Sequence, residues 1–193
     1  MGTSPANRAL TGLHDVELAA LAAAGGRPEF GELVRRHGPA VRGLLRRMGA
    51  EASAADDLAQ DAFLTAFERI AEFRGEGAFA GWVKRIAARL YLKRRRKDAQ
   101  LLLEAEPREP EQVAAYADAA GRIDLDGAMA VLSQAERLTV SLCYGAGLSH
   151  SEVSETLNIP LGTVKSHVKR GLDKLRERLA PQGAAGAGSM AHG

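Results

Sequence analysis

Leu148 to Leu179, LSHSEVSETLNIPLGTVKSHVKRGLDKLRERL, is the stretch that decides the fold. Ser149 stands where it can cap a helix, and Glu152, three residues on, can return the bond to complete a capping box. Leu148 and Val153 occupy the flanking positions of a hydrophobic staple. Val153 and Leu157 face a core, and Asn158-Ile159-Pro160 then breaks the helix, Asn being tolerated in the left-handed conformation at a helix end. A second helix follows at once. Its Val164, Val168, Leu172 and Leu175 share one face, while Thr163, Ser166 and Arg170 point away with Lys165 and Lys169 beside them. One side anchors the helix, and the other offers hydroxyls and cations to base edges and phosphates, as in a helix-turn-helix. Gly171 lets a neighbouring helix approach closely. A plain helical hairpin with a solvated face is the simpler alternative, but caps, break and basic face coincide here.

Working back from that hairpin, helical periodicity recurs and β-alternation is absent, so the expected fold is all-α: two small helical units joined by a flexible linker. Residues 15–24 form a first helix with Asp15 as its cap and Gly25 and Gly26 as its end. A second runs from Phe30 to Met48, with Pro39 able to kink it. A third, residues 54–71, places Ala62, Phe63, Ala66, Phe67 and Ile70 on one face and Asp57, Gln60, Asp61 and Glu68 on the other. A fourth starts near Phe79 and runs through Trp82, Val83, Ile86 and Leu90 into Lys97. The expected boundaries are 1–97 for the first unit, 98–122 for an acidic, Pro-containing linker and 123–180 for the second unit. Residues 181–193 form a disordered tail.

The whole chain carries 26 Lys and Arg against 24 Asp and Glu, a net charge of +2, so the placement of charge matters more than its sum. From Lys84 to Lys97 there are eight cations and no acid. Five phosphate contacts from such a segment give a log-log salt slope of about 4 to 5 on duplex DNA, at ~0.9 per contact. Phe73, Phe79, Trp82 and Tyr91 add aromatic surface near those cations, the combination that holds unstacked bases. Phe79 and Trp82 are assigned mainly to packing, and the Phe73–Phe79 loop, with Arg74, is the better candidate for a pocket that takes an extruded base. The stripe Asp57, Gln60 and Asp61 would repel phosphate; it suits a basic protein partner, or is a solvated helix face.

Cys143, the single cysteine, excludes an internal disulfide and a clustered-thiol metal site, and is expected as a small buried apolar residue. The five histidines show no ligand spacing and no nucleophile motif is visible, so neither catalysis nor a metal or cofactor is expected. No apolar run approaches the ~20 residues of a membrane helix, and the expected location is the cytoplasm.

Taken together, DDLAQDAFLTAF, FRGEGAFAGWVKRIAARL and GLSHSEVSETLNIPLGTVKSHVKRGLDKLRERL resemble, in that order, extracytoplasmic-function sigma factors of the sigma-70 family, over most of residues 28–179. The first two resemble region 2 and the third region 4. The resemblance implies a factor that places RNA polymerase core on promoter DNA. Asp57, Gln60 and Asp61 would bind the β′ clamp helices. Arg74, Phe79, Trp82, Arg85, Arg89, Lys93 and Arg94 would engage and melt the minus-10 element without ATP. Thr163, Lys165, Ser166, His167, Lys169 and Arg170 would read the minus-35 element, with apolar surface of the same unit receiving the β flap. An anti-sigma factor is a further implied partner. Similar proteins usually carry Asn and Asp where this chain has Arg89 and Lys93, and many carry Arg in place of His167. The alternatives are an operator-binding regulator, which lacks a visible sensing domain here, and a sigma-mimicking decoy, which should have lost its DNA-facing cations.

Overall fold

The computed structural model describes residues 10–75, 78–104 and 125–179, and every regular element among them is helical. In chain order these are α1 (Asp15–Ala23), α2 (Arg27–Met48), α3 (Ala52–Glu68), a 3₁₀ turn (Ile70–Glu72) and α4 (Phe79–Glu104). From residue 125 on come α5 (Leu125–Met129), α6 (Gln134–Val140), a π-helical turn (Ser141–Gly145), α7 (His150–Leu157) and α8 (Leu161–Leu179). The expected tail, and the part of the expected linker from 105 to 122, lie outside the described residues.

Local chemistry sets most of the boundaries, with four corrections. The cap of α1 is His14 rather than Asp15: the His14 backbone N–H donates to Glu17 Oε2 at 2.7 Å. Asp15 is occupied elsewhere, against His37 Nε2 at 2.7 Å and Arg36 at 3.1 Å. Helix α2 begins three residues before Phe30, because Pro28 in the first turn is preset for a helix and gives up an N–H that would be unpaired there anyway. Pro39 lies inside α2 without ending it. Helix α3 stops at Glu68, and the chain tightens into the 3₁₀ turn instead of continuing to residue 71. The largest departure is α4, which runs through Asp98 to Glu104, seven residues into the expected linker; the first helix-breaking proline, Pro107, comes only after it.

Leu18, Leu33, Val41, Leu44, Leu45 and Met48 are at most 1 % exposed and, with Ala62, Phe79, Val83 and Ala87, make the centre of the first unit. Leu142, Ala146, Leu148, Val153, Val164 and Val168 belong to that same continuous core, so the two units are packed against each other. A smaller cluster, Ala128, Met129, Leu132, Val140 and Leu175, holds α5 and α6 to α8. Cys143 is half-buried rather than buried, and desolvation pushes its thiol up.

One buried carboxylate ties the N-terminal turn to α2. Glu32, 2 % exposed, accepts from Arg35 at 2.7 Å and from Arg36 at 2.8 Å. Arg36 continues to the carbonyls of Leu10, Thr11 and Leu13 at 2.8 to 3.0 Å. The hydrogen bond from Arg35, then that from Arg36, outweighs the cost of burial and holds the Glu32 carboxyl at about 2, down from 4.5. A lowered folded-state value stabilises above the unfolded value and is lost as pH falls through the folded one. Between pH 4.5 and 2 the melting temperature of wild type should therefore fall more steeply than that of Glu32→Gln, by on the order of 5 °C, in calorimetric scans. Parallel curves would show that this network contributes nothing.

Candidate nucleic-acid interface

The hairpin quoted first is a helix-turn-helix. Ser149 Oγ accepts from the Glu152 backbone N–H at 3.2 Å, and the Ser149 N–H donates to Glu152 Oε2 at 2.7 Å, so the capping box is complete. Those bonds hold the Glu152 carboxyl below its ordinary value, with Arg85 and Arg89 adding smaller electrostatic contributions. Asn158 closes α7 at φ 53° and ψ 48°, the left-handed geometry its side chain tolerates. Val164, Val168 and Leu175 are buried and Leu172 half-buried. Lys165, Ser166, Lys169 and Arg170 are exposed, and Thr163 and His167 half-buried. The Arg170 guanidinium donates to His167 Nδ1 at 3.1 Å.

Gly171 is where α8 crosses α6: a Cβ there would lie 2.9 Å from Val140 Cγ2. At that crossing sits Glu136, which sequence reasoning missed. It is 4 % exposed and has its own capping box with Ser133, at 3.0 and 3.3 Å. Its carboxylate accepts from Lys174 Nζ at 2.7 Å and faces Arg170 at 3.8 Å. The Lys174 bond, followed by that from Ser133, holds the carboxyl below its usual range. Ser133-x-x-Glu136 was a legible capping box; that Glu136 also reaches α8 was not.

On the first unit, Arg85, Arg89, Lys93 and Arg96 are exposed along α4. At 1.5 Å per residue that stripe is about 16 Å long. Arg74 and Arg94 are exposed as well. Phe79 is only 1 % exposed, wedged among His37, Phe73 and Trp82 at ring distances of 5.5 to 5.7 Å. The Phe79 ring is thus spent on packing in the core of the first unit. Phe73 and Trp82, 5.5 Å apart and half-buried, carry the aromatic surface. Gly75, at φ 74°, turns the chain behind them.

Helix α3 keeps Asp57, Gln60 and Asp61 exposed on one face. Leu64, 63 % exposed, extends that face by one turn, a second residue the sequence reading missed although it is the apolar misfit on the polar side. Beside them runs an open groove of about 600 Å³ between α2 and α3, lined by Phe30, Val34, Phe63, Leu64 and Phe67.

Two exposed basic surfaces on separate helical units, one of them a helix-turn-helix, are the kind of surface that nucleic acid takes, and the acidic-apolar stripe of α3 is one that would repel phosphate. Comparison with known proteins agrees. Residues 33–100 match the family Sigma-70 region 2, and residues 128–177 match Sigma-70, region 4. The chain is 35 % identical over 163 residues to the ECF RNA polymerase sigma factor SigE of Mycolicibacterium smegmatis, covering 79 % of this chain and 62 % of that protein. It is 31 % identical over 170 residues to the ECF RNA polymerase sigma factor SigW of Bacillus subtilis, covering 80 % and 91 %. The sigma factor RpoE of Bartonella quintana, solved with the anti-sigma factor NepR, shares the fold at TM-score 0.60 and 24 % identity, over 80 % of this chain and 98 % of that one. The chain belongs to the extracytoplasmic-function group of the sigma-70 family, a family of transcription initiation factors. No helix among the described residues is long and apolar enough to cross a membrane.

Proposed function

We propose that this chain directs RNA polymerase core to a defined set of promoters and initiates transcription there, under the control of an anti-sigma factor. The reading rests on one observation: two exposed cationic surfaces and one exposed acidic-apolar stripe occur in a single chain, in the order region 2 then region 4. The stripe Asp57, Gln60 and Asp61, extended by Leu64, would take the basic helices of the β′ clamp. Arg74, Arg85, Arg89, Lys93 and Arg94 would hold the minus-10 backbone while Phe73 and Trp82 receive an unstacked base. Thr163, Lys165, Ser166, Lys169 and Arg170, the last braced by His167, would read the minus-35 groove. Region 2 would occupy the chain up to about residue 104, and region 4 residues 125–179. The factor would work in the cytoplasm as a binding protein rather than an enzyme, melting DNA by binding energy.

Runoff transcription with purified core polymerase on a pooled promoter library tests the reading. Wild type should open a new set of start sites. Arg170→Ala should weaken their use several-fold and lower the salt slope of duplex DNA binding by about 0.9, one phosphate contact. A wild-type chain that binds no core polymerase and yields no transcript would remove the proposal.

A further inference from the structure

Helices α1 and α2, which the proposed DNA contacts do not use, meet behind the aromatic surface of the first unit. The His37 side chain of α2 is 16 % exposed, and its Nε2–H donates to Asp15 Oδ2, in the first turn of α1, at 2.7 Å. A carboxylate only accepts, so the proton sits on that nitrogen and the bond fixes the plane of the ring. Asp15 is itself held in place. Its Oδ1 accepts from Arg36 at 3.1 Å, and Arg36 also donates to the carbonyls of Leu10, Thr11 and Leu13. On its other side the His37 ring lies 5.5 Å from that of Phe79, tilted by 46°.

Phe79 is the wedge between two half-buried rings. It stands edge-on to Phe73 at 5.5 Å and 89°, and is tilted by 51° to Trp82 at 5.7 Å. Phe73 follows the 3₁₀ turn and Trp82 belongs to α4, so the ring they share sets the angle between them. Helix α1 also backs the chain after Phe73: a Cβ on Gly75 would lie 3.3 Å from Val16 Cγ1. Stacking needs a ring already presented to the base, and a misplacement of about 1 Å can cost ~100-fold in rate. We infer that His37 is a positioning residue for base capture and that α1 takes part through Asp15: the pair fixes Phe79, and Phe79 presents Phe73 and Trp82 to an unstacked base. This rests on the reading of Phe73 and Trp82 as the rings that take that base. An apolar side chain in place of His37 would fill the space but leave Phe79 free to turn, so filling does not replace the hydrogen bond.

Runoff transcription from promoters selected by the wild-type holoenzyme tests this, each promoter used as a full duplex and with its minus-10 segment held open by mismatches. His37→Ala should initiate roughly tenfold less than wild type on duplex and stay within about threefold on the open template, because the mismatches supply the unstacking that capture otherwise drives. Asp15→Leu should show the same split. Asp15→Asn keeps an oxygen for the His37 N–H and should remain within about twofold of wild type on both templates. A lost fold or lost core binding would instead lower both templates alike. Trp82, the single tryptophan of the chain, gives a second readout in the free full-length protein. Its quenching by acrylamide should rise at least twofold in His37→Ala and Asp15→Leu and keep the wild-type value in Asp15→Asn. Equal losses on both templates, or unchanged quenching in His37→Ala and Asp15→Leu, would overturn the positioning role. Phe73→Ala separates this from the reading it rests on. If Phe73→Ala initiates on duplex like wild type, the pocket reading falls and the positioning role with it; if Phe73→Ala loses initiation and His37→Ala does not, only the role of His37 falls.

Discussion

Asp61→Arg should cut binding to core polymerase by at least thirtyfold and remove most promoter-dependent initiation, while the melting temperature stays within a degree or two of wild type. Asp61 is exposed on α3, one turn from Asp57 and beside Gln60. Reversing a charge in a desolvated interface costs about 2 kcal/mol or more, since a lost attraction is joined by a new repulsion. An exposed substitution on a helix surface changes stability by only about 0.5 kcal/mol. The split between the two readouts is the informative part. Loss of binding with unchanged melting assigns the stripe to a protein partner, whereas unchanged binding to core polymerase would return it to a solvated helix face. Leu64→Ser should weaken binding in the same direction, because Leu64 continues the face and lies at the rim of the α2–α3 groove.

The second large effect is expected from Glu136→Ala. That substitution removes the return half of a capping box and leaves Lys174 without its carboxylate and Arg170 without its nearest acid. Caps contribute about 1 kcal/mol, and removing one partner of a buried charged pair costs about 3–5 kcal/mol when both groups are buried. Lys174 and Arg170 are partly exposed, which reduces the second figure, so the expected loss is about 2–3 kcal/mol, or 5–10 °C in melting temperature. Glu136→Gln keeps the shape and part of the hydrogen bonding and should lose about half as much. The sign with pH follows from the lowered carboxyl: the contribution is present above the ordinary carboxylate range and fades as acid protonates it. Urea unfolding of the three proteins at pH 7 and pH 4 checks this. Equal stabilities would mean that α6 and α8 are held by Val140, Leu175 and the Gly171 crossing alone.

Reading the residues in order recovered the caps, the break and the buried face of the helix-turn-helix, because those signals are local. Ser149 and Glu152 are three residues apart, Asn158 chooses a left-handed φ by itself, and Val164, Val168, Leu172 and Leu175 declare their face by spacing. The cationic stripe of α4 and the acidic stripe of α3 were legible for the same reason. Helix ends were read less well: α4 runs past Lys97 because the residues after it are good helix formers and no proline intervenes before residue 107. Phe79 was assigned mainly to packing from the sequence and is buried, whereas its ring partners His37, Phe73 and Trp82 were not legible, because they come from different elements.

The sequence by itself thus determined two helical units, their order, which faces carry cations and which carry acids, and through these the family. Only the tertiary structure decided what those side chains touch. Arg85 and Gly147 are 62 residues apart, Arg96 and Thr156 are 60, and Glu136 and Lys174 are 38. Periodicity reports a face, which is set by the 3.6-residue turn of one helix; it carries no information about which other helix will cover that face. That choice depends on how closely backbones can approach, as where Gly145 meets Leu44 and Gly171 meets Val140, and such fit is a property of two surfaces in three dimensions.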